Sequence, residues 1–195
     1  MAASPYRHTG TIGLLEVASI ATGIEVTDRV LKEATVEVPF ARPVSPGKYV
    51  LLFSGSVDDV RSSLRVGAEV AGDHLIDRLF LAAVHDDVLA ALTRPVEAPE
   101  LDAVGVIETF TVASTLRAAD AAAKEAAVTL IEVRLASGIG GKSYVTMTGE
   151  VSDVEDATLA GASGAEEAGL LLRRVVIPRP HEALREILSR HDEAI

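Results

Sequence analysis

Two glutamates are the first candidates for chemistry. Each follows a glycine by three positions, in Gly13-Leu14-Leu15-Glu16 and in Gly105-Val106-Ile107-Glu108. Paired carboxylates can divide acid–base work between them. Here no spacing brings the two together, and both sit in apolar runs. The expectation is therefore structural, with both carboxylates inaccessible and hydrogen-bonded to nearby backbone. A second candidate is the run Gly138-Ile139-Gly140-Gly141-Lys142. It lacks the four-residue spacer of a phosphate-binding loop and leads into a strand rather than a helix. Glycine here is expected to supply unusual backbone angles or close approach of neighbouring chains.

The remaining inventory is sparse. His8, His74, His85, His181 and His191 show no metal-ligand spacing, and no Gly-x-Ser-x-Gly elbow is present. His85 and His181 each stand at the start of a short helical segment, where a structural role is expected. The chain has no cysteine, which excludes disulfides, cysteine nucleophiles and iron–sulfur clusters held by its own thiolates. No catalytic residue, metal or cofactor is expected.

The elements that position these residues come in two copies. The Gly13–Glu16 run recurs 92 positions later, and at that displacement Asp28 matches Asp120, Lys32 matches Lys124 and Ala34 matches Ala126. The displacement then grows to 94, so that Lys48 matches Lys142, Gly55 matches Gly149 and Asp59 matches Asp153. Near the ends His85 meets His181. A period of that length is a small domain, not a solenoid unit. The join falls near Thr93–Asp102, where Pro95, Pro99, Glu97 and Glu100 cluster as in a linker. Two domains follow, at 10–94 and 103–190.

Each copy reads as strand, helix, strand, strand, helix, strand and a tail helix. The strands are expected near 11–18, 36–43, 49–54 and 75–83, and near 103–111, 128–136, 143–148 and 170–177. Helices are expected near 22–34 and 114–126, from Val57 and Val151, and as tails over 86–92 and 181–189. Val57, Val60, Leu64, Ala68 and Ala71 form one helical stripe, and Gly67 beside it leaves room for close contact. This order suits an α+β fold of two tandem ferredoxin-like domains, each an antiparallel sheet with helices packed on it.

Composition agrees with a packed interior. Hydrophobic residues make up 48% of the chain but aromatics only 4%, so the core must be Ala, Val, Leu and Ile. The net charge of −11 argues against binding nucleic acid through a broad basic face. No apolar run reaches the ~18–20 residues of a transmembrane helix, so no membrane partner is expected. Met1–Thr9 reads as a loose polar tail without the apolar stretch of a signal peptide. A cytoplasmic location fits.

Gly13-Leu14-Leu15-Glu16, Asp28 with Lys32, the Gly-Lys loops and Ile177-Pro178-Arg179-Pro180-His181 together resemble bacterial microcompartment shell proteins. Two such domains in one chain resemble the tandem-domain, trimer-forming class, above all the T-type shell protein of propanediol-utilisation compartments. The likeness runs from about Gly10 to Leu188.

The resemblance implies a structural subunit. It implies a homotrimer whose six domains mimic a hexamer, tiled edge to edge with hexameric shell proteins in the shell of a cytoplasmic microcompartment. A central pore would pass small metabolites. Its lining would be Ser45, Pro46 and Gly47 from the first copy and Ile139, Gly140 and Gly141 from the second. Edge contacts would come from Lys32, Lys124 and Arg179. In the propanediol-utilisation relative a cysteine of the first pore loop helps hold a [4Fe–4S] cluster. Ser45 stands at that place, and no cluster is expected. In copy one, Ala82-Ala83-Val84-His85 replaces Pro-Arg-Pro-His, so alternate edges lack the arginine. Arginine introduced at Val84 is expected to change tiling. The competing reading is a trimeric small-molecule-binding or sensor protein of ferredoxin-like fold. An enzyme using Glu16 and Glu108 ranks last.

Overall fold

The computed structural model describes residues 10–93, 96, 102–136 and 138–189. The N-terminal tail, most of the expected linker and Ser137 of the second glycine loop lie outside them.

The first copy runs β1 (Ile12–Val17), α1 (Ile20–Glu33), β2 (Glu37–Val44), β3 (Lys48–Ser54), α2 (Val57–Ala71), β4 (Leu75–Leu81) and α3 (Asp86–Thr93). The second runs β5 (Ala103–Thr109), α4 (Val112–Glu125), β6 (Thr129–Leu135), β7 (Ser143–Gly149), α5 (Val151–Glu167), β8 (Leu171–Pro178) and α6 (Glu182–Ser189). The sheets have orders β2-β3-β1-β4 and β6-β7-β5-β8, antiparallel throughout. This is the ferredoxin-like arrangement, built twice.

Local chemistry sets the helix starts. Ser19 Oγ accepts from Thr22 N–H, Ser56 Oγ from Asp59 N–H and Thr111 Oγ1 from Ser114 N–H. Each hydroxyl satisfies one of the orphan donors of a first helical turn. The helices then bury their apolar stripes against the sheets. In the first unit the interior holds Leu15, Val17, Val26, Val30, Leu51, Phe53 and Val60, all fully buried. Gly67 is the close contact expected of it, since a Cβ there would stand 2.4 Å from Leu15 Cδ1. Val57 departs from the expected stripe and is 42% exposed. It is the first residue of α2, and the stripe becomes buried one turn later at Val60.

Packing divides the chain into two compact units. One is formed up to Val84 and also contains Gly138–Gly141; the other is His85–Ser137 with the chain from Lys142. The expected first domain runs to 94, yet α3 packs on β6 and α4 and so sides with the second copy. The loop after β6 makes the opposite exchange.

Candidate pore loops and edges

The Gly-x-x-Glu runs hold both sheets together. A Cβ at Gly13 would stand 2.6 Å from the Phe53 ring, and one at Gly105 would stand 2.6 Å from Thr158 Cγ2. At Gly105 the missing side chain lets the central strand approach α5, and at Gly13 it makes room for the Phe53 ring of β3 and for Val60 of α2. Three residues on, Glu16 is wholly buried and its Oε1 accepts from Lys48 Nζ at 2.9 Å. Glu108 faces Lys142 at 3.6 Å, with both side chains partly exposed at 32% and 44%. The expected inaccessibility therefore holds for Glu16 and fails for Glu108. The expected backbone role is also incomplete, because each carboxylate pairs with the lysine that follows a glycine loop. Low exposure strengthens such a pair and penalises loss of either partner.

Those lysines bring in the loops. Ser45, Pro46 and Gly47 are exposed between β2 and β3. Gly47 N–H donates to Val44 O at 2.9 Å, and its φ of 102° is one that side chains rarely adopt. Gly138–Gly141 fall in the same compact unit. Gly141, at φ 80°, is pressed on the first loop: a Cβ would stand 2.7 Å from Pro46 Cδ and 2.9 Å from Ser45 O. Lys48 Nζ lies 3.5 Å from Gly141 O. Two loops some ninety positions apart thus form one cluster, tied through Lys48 to Glu16. Gly140 is exposed with open space around it, and Ile139 is half-buried. Gly141-Lys142-Ser143 shares the ending of a phosphate-binding loop, but Ser143 is buried in β7 and donates to Arg134 O.

The edge candidates lie apart from the loops in sequence and in partners. Lys32 is 69% exposed and reaches Asp28 at 2.7 Å, one helical turn back. Lys124 is 44% exposed and reaches Asp120 at 2.6 Å. Arg179 is exposed, at φ 50°, with its N–H donating to Asp102 O at 2.8 Å. The first-copy equivalent of Arg179 is Ala83, not Val84. Ile12 pairs with Leu81 as Val104 pairs with Ile177, and Ala83 shares the left-handed backbone at φ 54°. His85 and His181 accept from the N–H two residues ahead, Asp87 and Ala183, through Nδ1. Both thus cap a tail helix, as expected, and they fix the same alignment. Val84 is buried, so the arginine substitution belongs at Ala83.

Two features had no clear sequence signal. The Asp120 carboxylate, 7% exposed, accepts from His85 N–H at 2.8 Å as well as from Lys124. Beside the second loop, Tyr144 donates to Glu132 at 2.7 Å and Arg134 stands 3.5 Å from the same carboxylate. Burial, then the Glu132 hydrogen bond and charge, push the Tyr144 phenol up to about 12. Paired residues at i and i+2 on β6 were the only hint of that cluster.

The chemistry of the loops is that of peptide groups, one hydroxyl and glycine. No group of three His, Asp or Glu able to hold a metal occurs among the described residues. A recess of about 410 Å³ lies over Glu155, Asp156, Leu159, Arg174 and Val176. Arg174 there is turned to Thr158 at 3.3 Å, beside the carboxylates of Glu155 and Asp156.

The arrangement is a doubled ferredoxin-like unit with a glycine loop after the second strand of each copy and exposed lysines on α1 and α4. The BMC domain matches residues 11–84 and again 103–180, and the chain belongs to the bacterial microcompartment shell protein family. It is 43% identical over 173 residues to the microcompartment shell protein PduT of Citrobacter freundii, covering 89% of this chain and 94% of that one. Shell protein EutM of Salmonella typhimurium is 38% identical over 87 residues, which is 45% of this chain and 88% of EutM. The crystal structure of a microcompartment protein from Desulfitobacterium hafniense superposes with a TM-score of 0.81 at 46% identity, covering 90% of this chain and 98% of that one. No helix among the described residues is long and apolar enough to cross a membrane.

Proposed function

We propose that this chain is a structural subunit of a microcompartment shell that assembles as a homotrimer and tiles into the facet beside hexameric shell proteins. The observation that carries the reading is the contact of Gly141 with Ser45 and Pro46. It brings two glycine loops, one from each copy, into a single cluster with Ser45, Gly47 and Gly140 at its surface. Three such clusters around an axis would frame a pore of peptide groups and Ser45 hydroxyls, suited to small polar metabolites. Lys32, Lys124 and Arg179 serve the outer edges, where long apolar stems lie flat and charged heads donate to a neighbour's carbonyls. The chain does no catalysis in this reading, since Glu16 is buried against Lys48 and the loops carry no acid–base pair.

Light scattering on a sizing column tests the assembly. The expected species is three times 20.4 kDa, or sheets built from it on concentration. Lys32→Ala with Lys124→Ala should abolish sheets while leaving the trimer. Alanine is preferred to aspartate because a second carboxylate beside Asp120 would strain the fold. A clean monomer or dimer would remove both the pore and the shell reading.

A further inference from the structure

The recess over α5 and β8 has a filled counterpart in the other copy. By the repeat, Glu155 answers to Arg61, Asp156 to Ser62 and Leu159 to Arg65. By strand register, Val176 lies opposite Gly105 as Phe80 lies opposite Gly13, so these two also correspond. In the first copy the Arg61 guanidinium stands over the Phe80 ring, 5.3 Å from its centroid. That ring is half-buried and packs on the core of its unit. In the second copy a valine replaces the ring and a carboxylate replaces the guanidinium. What is left there is an open space of about 410 Å³.

Its lining is left unmatched in two ways. Leu159 is 59% exposed, while its counterpart Arg65 reaches Glu69 at 2.9 Å. The carboxylates of Glu155 and Asp156 make no ion pair or hydrogen bond among the described residues. Arg174 lines the same space but donates to Thr158 Oγ1 at 3.3 Å and pairs with neither. α5 carries Asp153, Glu155, Asp156, Glu166 and Glu167 and no lysine or arginine. The lining is therefore apolar at Leu159 and Val176 and, with two carboxylates against one guanidinium, net negative. The first copy shows which chemistry fits this place on the fold: a flat ring with a cation against it.

We propose that this recess binds a small organic cation built on an aromatic ring, an arylalkyl ammonium or guanidinium. The ring takes the place of the Phe80 side chain, over Val176 and Leu159. The cationic group lies against Glu155 and Asp156. Burial of the ring supplies most of the affinity, since charge pairs in open water are weak, and the carboxylates select the sign of the charge. The site lies within the second unit and shares no residue with the glycine loops, so it needs neither the pore nor the trimer.

Calorimetric titration of the purified protein with phenethylammonium chloride tests the site. The expected result is saturable binding of one molecule per chain. Phenethyl alcohol keeps the ring and drops the charge, and should bind at least about fivefold more weakly. The double variant E155R/V176F rebuilds the Arg61–Phe80 pair in the second copy. It should keep the parent's circular dichroism, because the first copy carries that pair on the same template, and it should lose binding. E155Q/D156Q leaves the recess its volume and should bind the ammonium and the alcohol alike; it decides the matter if E155R/V176F fails to fold. No saturation by about 10 mM ammonium would overturn the proposal. Equal affinity of the parent for the alcohol would also overturn it, by marking a merely apolar surface. Undiminished binding by a folded E155R/V176F, or an unchanged preference for the ammonium in E155Q/D156Q, would place the ligand elsewhere and sink the site.

Discussion

The repeated Gly-x-x-Glu shows how far one residue pattern can diverge in energy. Glu16 has no exposure and a lysine at 2.9 Å; Glu108 keeps about a third of its surface and a lysine at 3.6 Å. Glu16→Gln leaves the Lys48 ammonium near a buried site without its counter-charge. It should destabilise the fold by about 2–4 kcal/mol, because breaking a buried pair costs more than the pair contributes. Glu108→Gln should cost under about 1 kcal/mol, as at exposed pairs. Chemical denaturation of both variants reads the difference. Elsewhere the copies fill the same space differently. Gly23 lies under Tyr49 in the first, while in the second their counterparts are Thr115, whose hydroxyl bonds that of Thr109, and Ser143, which donates to Arg134 O. Tyr144 makes a prediction about alkali. Its phenol keeps its proton to about 12 when folded, against 10.0 for the ordinary group. The unfolded chain therefore gives up that proton first, and stability is lost as pH rises from about 10 towards 12. Tyr144→Phe should flatten this alkaline slope in thermal melts; an unchanged slope would rule out the cluster as its source.

Elements decide which sides of the subunit can meet neighbours. β4 and β8 are each followed by a residue with left-handed backbone, Ala83 in one copy and Arg179 in the other. The turn is the same and the side chain is not. If arginine forks serve the outer edges, they alternate with bare alanine positions around the assembly. Ala83→Arg adds a fork at a site whose backbone already takes the required angle, so folding should be little affected. Sheets of this variant should change lattice or accept different hexamer partners, as seen by electron microscopy. Identical sheets would mean that the arginine plays no part in tiling. The helices add a second asymmetry. α4 is covered and α1 is open, although they share a template, because only α3 finds its seat within one chain.

At the scale of the whole molecule, charge opposes assembly. Each chain carries −11, so the proposed trimers, brought edge to edge, would repel across distances set by salt. The Debye length falls from about 30 Å at 0.01 M salt to about 8 Å at 0.15 M. Sheet formation on concentration should therefore be stronger at the higher salt, measured by turbidity and confirmed in images. Weaker sheets at that salt would point instead to edges dominated by exposed ion pairs.

Much of this protein was legible in its sequence because repeats and periodicity are local properties. The ordered matches from Gly13 with Gly105 to His85 with His181 gave the two copies. The alternation of apolar runs with capped helical stripes gave the βαββαβ order in each. Glu16, Lys48 and the glycine loops were visible as residues, though not as one cluster. Tertiary structure alone decided the rest, since it brings together groups that no spacing relates. It placed Gly141 against Ser45, exposed part of Glu108 and gave Ala83 the same left-handed backbone as Arg179. It also sent α3 to the second unit and, among the described residues, left α6 without extensive packing. Equivalent sequences have equivalent propensities, but burial depends on what stands opposite. For a helix at the end of a copy, that is settled by the next unit and not by the helix itself.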